Sequence, residues 1–182
     1  MEREKFMGSR QCKRGVGFFD ASAFEEIARK DPENLKKFLR DQMKNTSVTC
    51  VLNGTNTWSR RWVRYEIVRA VLKGNGLLTV DIYGVLDQGK NPATKSEWDP
   101  LAQLGLYMSH GNIYFAEWKD GKWVKYADYA SPVLEADLCF RAPSSNSVEQ
   151  IANHFMRYDF KQQNGRENLP GWIETAAGLA AR

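Results

Sequence analysis

The stretch from Ser47 to Tyr83 constrains the fold of this chain more than any other part of the sequence. Ser47 to Leu52 is an apolar, β-branched run that an Asn-Gly pair ends, which predicts a buried strand. Gly76 to Tyr83 has the same character. Between them, Arg61 to Lys73 carries apolar residues at helical spacing. A helix between two buried strands is the crossover that a parallel pair requires, so we predict a parallel strand–helix–strand unit.

The same alternation of apolar runs and amphipathic segments continues on both sides of this unit. Gly15 to Phe19 and Phe155 to Phe160 are predicted strands, and Asp31-Pro32 has the residue types that begin a helix. A closing amphipathic helix is predicted from Pro170. We therefore expect an α/β fold, with one mostly parallel sheet, helices on both faces, and a single domain over residues 1–182.

A hairpin is predicted in the second half of the chain. Asn112 to Trp118 and Lys122 to Tyr129 are aromatic-rich runs, and the Asp-Gly pair between them is a strong turn signal. We expect residues 112–129 to form an insertion appended to the parallel sheet. Its aromatic residues are better explained as packing partners on a half-buried ribbon than as a platform for stacking bases.

Composition excludes several classes of protein. The net charge is +4, but lysines and arginines are scattered among nearly as many acids, so a nucleic-acid partner is not expected. Cys12, Cys50 and Cys139 are far apart and have no C-x-x-C spacing, which argues against a metal site. No apolar run is long enough for a membrane helix or resembles a signal peptide, so we expect a cytoplasmic protein.

The loop from Asn53 to Arg60 is the first candidate for a functional site. It follows the carboxyl end of a predicted parallel strand, where ligands bind in open α/β sheets. Glu66 follows Trp62 by one helical turn, so the two side chains share a face and the acid could stand at the edge of a pocket. Alternatively, Glu66 pairs with Arg69 or Arg64 on a solvated face while Trp62 packs in the core. Spacing alone favours this second interpretation.

Several segments of the chain resemble one bacterial family. The chain is similar, from about Gly15 to Arg182, to the TIR-like family that includes the ThsB proteins of Thoeris anti-phage systems. The segments that carry the resemblance are GFFDAS at 17–22, NTSVTCVLNG at 45–54, SRRWVRYEI at 59–67, GNGLL at 74–78, YDF at 158–160 and NLPGWIETAA at 168–177. The resemblance implies a flavodoxin-like parallel sheet, which agrees with the α/β pattern.

The resemblance also implies an activity and its residues. Catalytic TIR domains cleave NAD+ between nicotinamide and ribose with a glutamate early in the helix after the third strand, and Glu66 matches that position. Asp20, Ala21 and Ser22 match the loop that borders the nucleotide. Ser59, Arg60 and Trp62 would line the same mouth.

The product implied by the family is a cyclic or modified ADP-ribose, a diffusible signal that activates a separate effector. NAD+ is then the substrate, and no metal is expected. A nucleotide is the expected small-molecule partner, self-association through TIR contacts is a further expectation, and no membrane partner is expected.

One difference from the family leaves other functions open. The family's first strand has no counterpart here, and residues 1–14 would be the end of the first helix or disordered. The chain could therefore be a TIR-like module that binds nucleotides or assembles without catalysis. A flavodoxin-like nucleoside transferase, which also needs one carboxylate beside a ribose, is the third interpretation.

Overall fold

The computed structural model describes residues 31–85, 92–95 and 98–180. The predicted strand at Gly15 to Phe19 and the segment of residues 1–14 lie outside these ranges. The chain divides into two compact units, one made of residues 1–45 and 86–92 and the other of residues 46–85 and 93–182. In the described part, no helix is both long and apolar enough to cross a membrane.

The first unit contains helix α1 (Pro32–Gln42). Its N-cap is Asp31, whose side chain accepts a hydrogen bond from the backbone N of Asn34 at 3.1 Å. Proline follows at the first helical position, where its missing N–H costs nothing. Leu35 and Leu39, four residues apart on one face, are buried. The helix predicted to begin at Asp31-Pro32 is therefore confirmed.

The described residues of the second unit form two sheets and two α-helices, besides short 3-10 turns. In chain order its elements are β1 (Val48–Asn53), α2 (Arg61–Leu72), β2 (Gly76–Asp81), β3 (Leu104–Ser109), β4 (Asn112–Lys119), β5 (Lys122–Lys125), β6 (Glu149–Gln150), β7 (Met156–Asp159) and α3 (Gly165–Ala180). Helices α2 and α3 both pack against the sheet formed by β1, β2 and β7.

This first sheet is parallel throughout, with strand order β1-β2-β7. The predicted parallel strand–helix–strand unit is confirmed, because β1 pairs with β2 in parallel and α2 connects them. The register aligns Asn53 with Asp81 and Asp81 with Asp159, so the last residues of the three strands stand side by side. Every residue of β2 is buried, as expected of a central strand covered on both faces.

The second sheet is antiparallel, with strand order β5-β4-β3-β6. The predicted hairpin is confirmed: β4 pairs with β5, and the turn residues Asp120 and Gly121 have φ values of 51° and 78°. Positive φ at both positions is the type I′ geometry that Asp-Gly favours. The hairpin is not attached to the parallel sheet, however. It pairs through β4 with β3, a strand that the sequence analysis did not predict.

The helix boundaries of the second unit follow local chemistry. Helix α2 ends at Leu72, and Gly74 after it has φ 69°, the left-handed conformation predicted for that position. Helix α3 begins at Gly165, five residues before the predicted start at Pro170. The reason is the preceding turn, where the Asn164 carbonyl accepts from Glu167 N at 3.0 Å and Asn168 N at 3.1 Å. Pro170 is accommodated inside the helix.

Helix α3 packs very closely against the parallel sheet at Gly76. A Cβ atom at this position would lie 2.3 Å from the carbonyl oxygen of Ala176, which is part of the α3 backbone. Helix backbone cannot move aside as a flexible side chain does. The first residue of β2 therefore has to be glycine for α3 to pack at this depth.

We predict that Gly76→Ala destabilises the protein by about 1 to 3 kcal/mol, because the added methyl group forces α3 away from β2. Thermal and urea unfolding measure this effect. Gly178→Ala is the matched control, since a Cβ there meets nothing within 4 Å and the residue lies in α3. That change should raise stability by about 0.5 to 1 kcal/mol. Equal effects of the two substitutions would contradict the close-packing argument.

Candidate functional site

The turn between β1 and α2 is built by one buried threonine. Thr57 Oγ1 accepts a hydrogen bond from Gly54 N at 2.9 Å and donates to the Leu52 carbonyl at 3.2 Å. Thr57 opens a short 3-10 helix that ends at Ser59. These bonds turn the chain away from the carboxyl end of β1. Helix α2 then begins at Arg61, beside the edge where the three parallel strands end.

Glu66 lies in the second turn of α2 and is half-buried. Within the described part of the chain, its carboxylate makes no hydrogen bond and no ion pair. The residue keeps some accessible surface, yet enough protein surrounds the carboxyl group to desolvate it, and burial raises its pKa from 4.5 to about 7. Near neutral pH this group can therefore either hold a proton or carry a negative charge.

The alternative in which Glu66 pairs with Arg64 or Arg69 is wrong for the described residues. Arg64 Nη1 instead donates to Glu117 Oε2 on β4 at 2.7 Å. Helix geometry explains the choice, because residues two apart project from different sides of a helix and cannot face each other. Arg69 makes no ion pair with Glu66 either. Among the residues that the structure describes, the carboxylate of Glu66 therefore has no cationic partner.

The structure gives positions for three of the six predicted binding residues. Trp62 is half-buried, one turn before Glu66, with its ring edge-on to Tyr65 at a centroid distance of 6.1 Å. Arg60 is exposed and holds the N-cap position of α2. Ser59 is also exposed, and its hydroxyl donates to the Asn56 carbonyl at 3.0 Å. Asp20, Ala21 and Ser22 lie outside the described residues.

A polar network that the sequence analysis missed closes the carboxyl edge of the parallel sheet. Asp81, the last residue of β2, accepts bonds from Asn53 Nδ2 at 2.8 Å and from Arg157 Nε and Nη2 at 2.8 and 3.0 Å. The carboxylate raises the pKa of the Arg157 guanidinium further. Asn53 Oδ1 is buried and has no partner among the described residues. The signal in the sequence was an Asp at the end of an otherwise apolar strand, GLLTVD.

Thr94 and residues 98–99 lie against this edge. Asn53 Nδ2 donates to the Trp98 carbonyl at 3.2 Å, and Thr94 N donates to Thr55 Oγ1 at 3.1 Å. Asp99 accepts from the Thr79 hydroxyl at 3.2 Å and from Leu101 N, and its pKa is raised by burial. The Thr94 bond reaches the loop that leads into α2, whereas Trp98 and Asp99 are bound to the strands β1 and β2.

Metal ligation finds no support in the part of the chain that the structure describes. No group of three or more His, Cys, Asp or Glu side chains there is arranged to hold an ion. Among the described residues, the groups at this site are the desolvated carboxylate of Glu66, the exposed Arg60 at the helix start and the Trp62 ring.

The architecture defines the class of protein first. In the described part of the chain, three parallel strands flanked by helices, with a polar edge at their carboxyl ends, belong to a flavodoxin-like α/β domain of the TIR-like type.

Comparison with known proteins then gives the family. Residues 3–87 match the family described as Thoeris protein ThsB, TIR-like domain. The chain is also 34% identical over 164 residues to a Bacillus cereus (strain MSX-D12) protein named "Putative cyclic ADP-D-ribose synthase ThsB1", and this covers 87% of the chain and 82% of the relative. The chain belongs to the ThsB family of TIR-like proteins.

The raised pKa of Glu66 predicts how stability depends on pH. The folded state holds this proton more tightly than the unfolded state, so the contribution to stability is complete below about pH 4.5 and is lost as the pH rises through about 7. Glu66→Gln removes the titration. Relative to wild type, the variant should gain up to about 3 kcal/mol between pH 5 and pH 8, or several degrees in Tm. A constant Tm difference across this range would contradict the desolvated carboxylate.

Proposed function

We propose that this protein cleaves NAD+ at the bond between nicotinamide and ribose and converts the remainder to a cyclic or modified ADP-ribose. The relative's name supports this reaction, since it describes a synthase of cyclic ADP-D-ribose. The observation that carries the proposal is Glu66, a desolvated carboxylate without a cationic partner among the described residues, on the helix that follows the first described strand.

The chemistry needs little more than one such carboxylate. Nicotinamide leaves with the electron pair of the glycosidic bond, and positive charge grows on the ribose as in an oxocarbenium ion. A carboxylate fixed in a poorly solvated site stabilises that charge more than water does. A nucleophilic atom of the same molecule then bonds to the ribose carbon and closes the ring, whereas attack by water would give open ADP-ribose.

The residues around Glu66 have suitable roles in binding. Arg60 is exposed at the start of α2, where a guanidinium and the positive end of a helix both favour the diphosphate of NAD+. Trp62 offers an aromatic surface beside Glu66, and the Ser59 hydroxyl lies at the same mouth. Asp20, Ala21 and Ser22 would complete the border of the nucleotide. We expect the enzyme to act in the cytoplasm on free NAD+ and to reach a separate effector through its product.

Nicotinamide release from NAD+ tests the proposal directly. We predict that Glu66→Gln, which keeps the size of the side chain, lowers the rate about a hundredfold, equivalent to roughly 3 kcal/mol of lost transition-state stabilisation. Glu174→Gln is the control, because Glu174 is an exposed carboxylate on α3, and its rate should equal that of wild type. Equal turnover in wild type and Glu66→Gln would remove Glu66 from the mechanism, and no turnover in wild type would favour a non-catalytic module.

The rate should also depend on pH in a predictable direction. The ionised form of Glu66 is the one that stabilises positive charge, so kcat/KM for nicotinamide release should rise as the pH increases through about 7. The residual rate of Glu66→Gln should lack this rise. A wild-type profile that is flat from about pH 5.5 to 8.5 would argue against an ionisable group with this pKa in the rate-limiting step.

A further inference from the structure

The start of α2 lacks the usual signals of a helix N-terminus. Its N-cap residue is Arg60, whose side chain makes no capping hydrogen bond, and the first turn contains no acid. Arginines stand at positions 60, 61 and 64. Cations at the positive end of a helix dipole are unfavourable. Groups outside the helix must therefore help to determine where it starts and how it is oriented.

The first such group is Glu117 on β4. Its carboxylate accepts from Arg64 Nη1 at 2.7 Å, and both side chains are largely buried, with 12% of Arg64 and 15% of Glu117 exposed. Arg64 Nε also donates to the Trp58 carbonyl at 3.4 Å. One guanidinium thus connects the helix, the loop before it and the antiparallel sheet. Removing the charge of one partner would leave the other buried and unpaired.

The second group is Asp128, three residues after the end of β5. Its two carboxylate oxygens accept hydrogen bonds from Arg61 Nε at 2.8 Å and from Arg61 Nη2 at 2.6 Å. This bidentate pair fixes the relative orientation of the two side chains better than a single hydrogen bond would. The residues between β5 and Asp128 remain attached to the antiparallel sheet, because Tyr126 N donates to the Phe115 carbonyl at 2.9 Å. The Arg61 guanidinium also lies over the Trp62 ring, 4.7 Å from its centroid.

We propose that the antiparallel sheet positions α2 through these two ion pairs, and that Glu117, Arg64, Asp128 and Arg61 are positioning residues for Glu66 and Trp62. This inference rests on the proposed function. Each residue of a helix is rotated by about 100° from the one before, so Glu66 projects about 160° away from Arg64. Fixing Arg64 to the sheet therefore sets the rotation of α2 about its axis, and with it the direction of the carboxylate.

Glu117→Gln tests the proposal, because it keeps the shape of the side chain and removes its charge. We expect kcat for nicotinamide release to fall roughly ten- to a hundredfold with KM little changed, as for a misplaced catalytic group. Amide hydrogen exchange over residues 64–68 should become about tenfold faster, which reports local opening of the helix start. Glu149→Gln is the matched control: this carboxylate is on β6 of the same sheet but faces His154 Nε2 at 3.1 Å, and neither quantity should change.

A charge exchange separates positioning from a general loss of folding. Arg64→Glu combined with Glu117→Arg restores the attraction, so kcat should recover by at least about fivefold relative to the worse single variant. If the wild type releases nicotinamide but Glu117→Gln changes neither kcat nor the rate of amide hydrogen exchange, the positioning role is overturned and the proposed function is not. Absence of nicotinamide release from wild type would overturn the proposed function and the positioning role together.

Discussion

Parallel pairing between β1 and β2 is the constraint on which the rest of the site depends. Two parallel strands cannot be joined by a tight turn, so the chain has to cross over the sheet between Asn53 and Gly76, and it does so through α2. The loop after β1 consequently opens at the same edge as the ends of β2 and β7. The position of Glu66, in the second turn of the crossover helix, follows from this topology before any contact of its own is considered.

The edge of that sheet is held together by charge as well as by the strand ladder. Asp81 in the middle strand takes hydrogen bonds from Asn53 of β1 and Arg157 of β7, so one carboxylate joins all three strands. A nearly buried carboxylate is tolerated there because its bonds are charge-assisted and well aligned. The loop into α2 therefore starts from a rigid base, which is what a site needs if its side chains are to keep a fixed geometry.

The features of the fold and site that could be predicted from the sequence are those determined by residues close together in the chain. The buried strands, the crossover helix and the Asp-Gly turn are set by residues close together in the chain, and they were predicted within a few residues of their ends. The strand Leu104–Ser109 was not predicted. Its pairing with β4 and β6 in the folded protein reveals it as a strand, whereas its residue types alone do not. The partners of Arg61 and Arg64 lie 67 and 53 residues away, and no spacing rule connects them. The local pairing of Glu66 with Arg64 is wrong because the two side chains project from different sides of α2, and Arg64 donates to Glu117 instead.

Within the part of the chain that the structure describes, the arginines of α2 that form ion pairs and the glutamate that forms none project from different sides of the helix. Glu66 stands two residues after Arg64 and five after Arg61, so it cannot face either guanidinium, and both arginines need carboxylates from outside the helix. Glu117 on β4 and Asp128 just after β5 supply those carboxylates, while burial raises the pKa of Glu66. Such a group costs stability, which a domain can sustain only when other contacts hold the fold. The antiparallel sheet and the residues just after it thus hold the start of α2 through Arg61 and Arg64, while the carboxylate of Glu66, which has no cationic partner among the described residues, lies on another side of the helix.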